Sequence, residues 1–185
     1  MSGVGSEHLH DLYAGTDDPW NFQTSAYEQA KFAATRDALP RSRYVSGLEI
    51  GCGNGELARR LAPRCAAYHG VDAVERALVA ARLAVPRAIF TRAFIPASLP
   101  GGPHDLIVLS EILYFLDAGS IADLSAQIDG RWPDADVICV SWRGPSGNPL
   151  QGEEAFALYR AASRRGFAMV AGTPEYRIDV AAGTA

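Results

Sequence analysis

Three glycines spaced two apart, Gly51, Gly53 and Gly55, follow the apolar run Leu48-Glu49-Ile50 and precede Glu56-Leu57-Ala58-Arg59-Arg60-Leu61. Leu57 and Leu61 share one helical face, so the stretch reads as strand, tight turn, helix. Glycine suits such a turn because it takes positive φ and lets the backbone lie against a ligand. The helix start beside it offers unpaired N–H groups. A dinucleotide fingerprint would place its third glycine at position 56, where Glu56 stands. A carboxylate there would repel a pyrophosphate, so the loop suits a ligand without phosphates. Asp72 lies about twenty residues beyond the turn, where a carboxylate can accept two hydrogen bonds from a ribose diol. Glu111 and Tyr114 follow the apolar run DLIVLS and supply a carboxylate and a phenol able to bind a reacting group and move its proton.

The elements that must position these residues follow from spacing. Strands are expected at 45–50, 66–71, 88–94, 105–110 and 137–142, with helices at 74–84, 117–130 and 152–165, the last stopped by Gly166. Segments 167–173 and 176–180 are two further strands, and the short link at Pro174-Glu175 makes them antiparallel. The fold class expected is α/β, Rossmann-like: a seven-stranded, mostly parallel sheet with a C-terminal antiparallel hairpin and helices on both faces. In such a sheet ligands sit outside the C-terminal strand ends, which puts Ser110, Glu111 and Tyr114 beside the reacting centre. Residues 1 to about 10 are polar and glycine-rich, and are expected to fray. A helix over 25–39 has Ser25 as N-cap, Glu28 three residues later and Pro40 as its stop. Tyr13, Trp20, Phe22, Tyr27 and Phe32 load this N-terminal stretch with aromatics, which either dock a helix on the sheet or cover the ligand as a lid.

The chain of 185 residues suits one domain, with 1–40 as the N-terminal lid or helical segment and 41–185 as the Rossmann-like core. Seventeen basic residues against twenty-one acidic ones, with no basic run, argue against a nucleic-acid partner. No apolar stretch is long enough to span a bilayer, and the N-terminus lacks a signal-peptide pattern. Three cysteines without metal spacing fit a reducing cytoplasm. No clustered Asp/Asn set suggests a metal. The oligomeric state is left open.

LEIGCGNG, VDA, DLIVLSEILYFL and the closing hairpin resemble motifs I, II and IV and the last strands of the class I methyltransferases that use S-adenosylmethionine (SAM). DPWNF…SAYEQAKF, SEILYFL and VSWRGPSGNPLQGEEA resemble, more narrowly, the group that contains the nodulation N-methyltransferase NodS. The resemblance implies that Gly51, Cys52 and Gly53 back onto the methionine part of SAM. It implies that Glu49 orients the amino group, often through water, that Asp72 takes the ribose hydroxyls, and that the Ser110 carbonyl accepts from the ammonium. Ala93 and Phe94 would meet adenine, with their backbone N–H groups reading the ring; the acid usual after the third strand is missing here. Trp20, Tyr27 and Lys31 would reach in from the N-terminal segment, Lys31 towards the SAM carboxylate. The acceptor implied is a small molecule, an amine of an amino sugar or a similar compound, and the product S-adenosylhomocysteine (SAH). Glu111 or Tyr114 would bind the amine and help remove its proton. The alternatives are an O-methyltransferase, for which no histidine is well placed unless His8 and His10 fold over the cleft, and a SAM-binding sensor or partner subunit without turnover. A nicotinamide oxidoreductase ranks below these.

Overall fold

The structure is a computed structural model and describes residues 3–184. Its centre is four parallel strands, β1 (Tyr44–Ile50), β2 (Cys65–Asp72), β4 (Leu106–Ser110) and β5 (Asp136–Trp142), of which β1, β4 and β5 are covered on both faces over nearly their whole length. A continuous apolar run such as Leu106-Ile107-Val108-Leu109 is what two covered faces require. Alternation splits it. Ile107 and Leu109 pack with Ile121, Leu124 and Ile128 of α5 (Ala118–Arg131) and with Phe156 and Tyr159 of α6 (Gly152–Ala162). Leu106 and Val108 pack on the other face with Phe32 of α2 (Ala26–Asp37), Leu57 of α3 (Glu56–Leu61) and Leu78 of α4 (Glu75–Ala84).

The sheet has seven strands in the order β3-β2-β1-β4-β5-β7-β6, with β3 at Ile89–Arg92, β6 at Ala168–Gly172 and β7 at Tyr176–Ala181. Pairing is parallel from β3 to β5, and β7 then runs antiparallel to both β5 and β6. Ile50 lies in register with Val71 on one side and Leu109 on the other. That register brings the C-terminal tips of β1, β2 and β4 together, and the strand order reverses between β1 and β4. The crevice outside such a reversal is where α/β sheets bind ligands.

Three expectations need correction. Of the residues expected to fray, 1 and 2 lie outside the described residues and 3–10 do not simply fray: α1 (Ser6–Leu12) forms there, and the Val4 N–H donates to the Phe115 carbonyl at 2.8 Å. Leu9 and Leu12 pack with Tyr13, Val74 and Ala77, so apolar burial gives this short helix its support. Helix α6 stops at Ala162 rather than at Arg165. The buried Asp129 carboxylate accepts from the Ser163 hydroxyl, the Arg164 N–H and Arg165 Nε, which pulls 163–165 out of the helix. The third strand covers only four residues, and the Ala93 N–H makes its last ladder bond, to the Asp72 carbonyl, before the chain leaves the sheet.

Candidate active site

A cavity of about 630 Å³ opens at the strand tips and is lined from β1, β2, β4 and β5 as well as from the N-terminal segment. This volume suits a ligand of cofactor size. Its first wall is the glycine turn. The Gly51 and Cys52 N–H groups both donate to the Val71 carbonyl, at 2.8 and 3.0 Å, which ties the turn to the end of β2. The Gly53 N–H donates to Asp72 Oδ2 at 2.8 Å, and the Val74 N–H to Oδ1 at 2.9 Å. Burial pushes the Asp72 carboxyl above its usual range, and these backbone donors oppose that shift. Each carboxylate oxygen keeps a second lone pair for a ligand.

Gly53 has φ +51, and a Cβ there would find its nearest neighbours at the Tyr13 hydroxyl, 3.6 Å, and the Phe22 ring, 3.8 Å. The gap above this backbone is therefore a slot roofed by aromatics. Gly55 serves packing instead: at φ +83, a Cβ would meet Ala81 Cα of α4 at 2.9 Å. Glu56 does not enter the slot. Its carboxylate is held by Arg59 at 3.1 Å and Gln29 at 3.3 Å.

Gly51, Gly53, Asp72, Ala93, Phe94 and Ser110 all line the cavity. Trp20 and Tyr27 join them from the N-terminal segment, and Glu111 and Tyr114 from the segment after β4. Ala93 lines it without a free donor, because its N–H is bonded to Asp72 at 2.9 Å, so the expected reading of a ring by that group is lost. Glu49 and Cys52 lie behind the turn. They line a side cavity of about 40 Å³ shared with Gly51, Gly53, Ser110 and Glu111, which has room for a bridging water. Glu49 accepts from the Tyr68 hydroxyl at 2.9 Å, and burial pushes its carboxyl up to about 8.

The second wall is made of side chains. Glu111 has φ +56, uncommon for a residue with a side chain, and its N–H donates to the Val140 carbonyl at 2.9 Å. This bend turns its carboxylate back towards α2, where Lys31 Nζ donates to Oε1 at 2.7 Å. Lys31 is 1% exposed, and its other neighbour is Glu28 Oε2 at 2.8 Å. The expected approach of Lys31 to a cofactor carboxylate is thus replaced by two protein carboxylates, and Lys31 does not line the cavity. A buried ammonium needs such compensation. Burial raises the Glu111 carboxyl while Lys31 lowers it. Burial also raises the phenols of Tyr27 and Tyr114, so both are neutral donors or acceptors.

Trp20 stacks on Phe22 at 5.5 Å and meets Tyr13 and Phe115 edge-on. Tyr27 meets Trp142 and Tyr176 edge-on, both at 6.1 Å. The loop after β5 closes the mouth with Pro145, Ser146, Gly147 and Asn148. Sequence reasoning missed Val4, Leu9, Leu12 and Glu28 as lining residues, and His8, named there only on the condition that the N-terminus folds over the cleft, does line it. Leu9, Leu12 and Tyr13, at i, i+3 and i+4, carried the helical signal that would have found α1. Glu28 had no such signal beyond its capping position, which the structure retains through Ser25 Oγ and the Glu28 N–H.

Residues 5–130 match the family described as nodulation protein S (NodS). Nodulation protein S of Bradyrhizobium diazoefficiens is 34% identical over 175 residues, covering 86% of this chain and 81% of the relative. That of Sinorhizobium fredii is 29% identical over 125 residues, covering 63% of this chain and 56% of the relative. Among solved structures, the N-methyltransferase NodS of Bradyrhizobium japonicum WM9 in complex with SAH superposes with a TM-score of 0.79 at 20% identity, covering 96% of this chain and 98% of that one. The fold is that of the class I SAM-dependent methyltransferases.

Proposed function

The chain belongs to the nodulation protein S family of SAM-dependent methyltransferases, and from that premise we propose that it methylates the amine of a small molecule, an amino sugar or a compound of similar build. One observation carries the reading. A single cavity has a backbone cradle for a phosphate-free ligand on one side, and on the other two carboxylates that share one lysine. Glycines that leave a slot beside Asp72 fit a nucleoside joined to an amino acid. Gly51, Gly53 and Ser110 would hold its amino-acid end, with Glu49 reaching it through the side cavity and Cys52 as backing. Asp72 would hold the ribose, Ala93 and Phe94 the base by packing, and Trp20 and Tyr27 the cover.

Bound SAM supplies a methyl group already activated on a sulfonium, so the protein's own task is alignment and exclusion of water. The aromatic roof of Tyr13, Trp20 and Phe22 keeps water from the slot. An amine must lose a proton before it can attack, and the wall that carries Glu111 and the neutral Tyr114 phenol would receive it.

His8 favours a second reading. It lines the cavity from α1, so a hydroxyl acceptor would meet an imidazole there. The test is SAH release from SAM against amino sugars, simple amines and matched hydroxyl compounds over a pH range. Amines should turn over, faster as each loses its proton. Turnover of hydroxyl compounds alone would replace the amine reading with O-methylation through His8. Bound SAH with no turnover of any acceptor would make the chain a binding protein.

A further inference from the structure

The second wall holds two polar atoms that are buried, border the cavity and lack a hydrogen-bond partner among the described residues: Glu28 Oε2 and the Tyr27 hydroxyl. Buried polar groups are ordinarily satisfied, so the unpartnered Tyr27 hydroxyl next to a carboxylate whose contact is the Lys31 ammonium points to a ligand group that completes this corner of the cavity. Glu28 Oε2 lies 2.8 Å from Lys31 Nζ in an ion pair, and the same ammonium donates to Glu111 Oε1 at 2.7 Å. The two carboxylates differ. Glu111 is fixed by its bent backbone and by Lys31. Glu28 is paired with Lys31 and lines the cavity, and its carboxylate keeps further lone pairs for a ligand donor.

We propose that Glu28 is a further catalytic residue, the carboxylate that meets the acceptor's ammonium and takes its proton, with Tyr27 as a second contact and Lys31 as the positioning residue that holds Glu28 and Glu111 together. This rests on the amine reading above. Two carboxylates and one ammonium leave a net charge of about −1 at this wall, which favours a cation over a neutral group of the same shape. In the proton step one N–H bond breaks and one O–H bond forms on Glu28. The electron pair stays on nitrogen as the lone pair it needs, and the proton then leaves to solvent, since the Glu28 side chain keeps 13% of its surface exposed. The other charged and titratable groups facing this wall are Tyr27 and Lys31 from α2, Glu111 and Tyr114 after β4, and Glu175 and Tyr176 at the start of β7.

The test is calorimetric binding of glucosamine and of glucose to the purified chain with SAH present, at a pH below the amine's pKa, for the wild type, Glu28→Gln and Glu28→Asp. The wild type should prefer glucosamine. Glu28→Gln, of the same shape and with its capping N–H intact, should lose about 10- to 100-fold of that preference, the range for a hydrogen bond to a charged group. Glu28→Asp should restore part of it, which a purely structural role would not require. An unchanged preference in Glu28→Gln, or no preference in the wild type, overturns the proposal. A wild type that discriminates but does not turn glucosamine over leaves the ammonium site standing and counts against the acceptor named under the proposed function.

Discussion

The two walls of the cavity are built on different principles. The glycine wall is backbone, pinned by backbone and one carboxylate: Gly51 and Cys52 to the Val71 carbonyl, Gly55 to the Cys52 carbonyl, and Gly53 to the Asp72 side chain. Everything in it lies within a short stretch of β1, the turn and the end of β2. The opposite wall is side chains from distant segments. Lys31 and Glu111 are 80 residues apart in sequence and meet at 2.7 Å. The first wall suits a ligand that is the same in every turnover. The second is open to change by single substitutions, which is where specificity for an acceptor would be set. The roof over both is the aromatic N-terminal segment.

The sharpest way to break this division is to remove the roof. Deleting residues 1–24 keeps the Ser25 cap of α2 and takes away Tyr13, Trp20 and Phe22. SAH affinity by calorimetry should fall by about 100-fold or more, given the aromatic area lost, with the sheet signal retained in circular dichroism. Full affinity in the truncated chain would reduce the segment to packing.

Glu49 tests the rear of the glycine wall. Its carboxyl moves from 4.5 to about 8 on folding because burial disfavours the charge. Between those values the native state binds more protons than the unfolded one, so stability falls as pH rises through that window. The full loss is up to about 5 kcal/mol. Chemical denaturation of Glu49→Gln, which can still accept from Tyr68, should show this slope removed. An equal slope would assign it to another group.

Asp72→Ala takes the acceptor from the Gly53 and Val74 N–H groups and should weaken SAH binding by roughly 2–4 kcal/mol. Unchanged affinity would take Asp72 out of the ligand's reach. The smallest effect on the cofactor is expected at the other wall. Glu111→Gln should lower turnover by about 10- to 100-fold while SAH affinity stays within about twofold. The reverse pattern would move Glu111 to the cofactor side and erase the distinction between the walls.

Much of the fold was legible because its signals are local. Alternation and apolar runs placed every strand within a few residues, and the Pro174-Glu175 link required the antiparallel end that β7 and β6 form. The misses came where a distant partner overrode a local pattern. Gly166 marked a helix end, but Asp129 captured residues 163–165 first. Polar residues 1–10 looked unsupported until α1 found Val74 and Ala77. Ala93 looked like a free donor until the Asp72 carbonyl was brought to it by the pairing of β2 with β3.

The sequence alone determined the glycine wall, since a turn that needs positive φ and close backbone approach can be written only with certain residues at fixed spacing. It also determined the strand sequence and the carboxylate at the end of β2. Only the tertiary structure decided what Lys31 and Glu28 do. A lysine on a helix is by default solvated, and its type says nothing of its partners. Packing α2 against the sheet buried Lys31 at 1% exposure and forced its charge to be met by carboxylates from two segments. Charge compensation in a low-dielectric interior depends on separation in space, and sequence distance does not encode it.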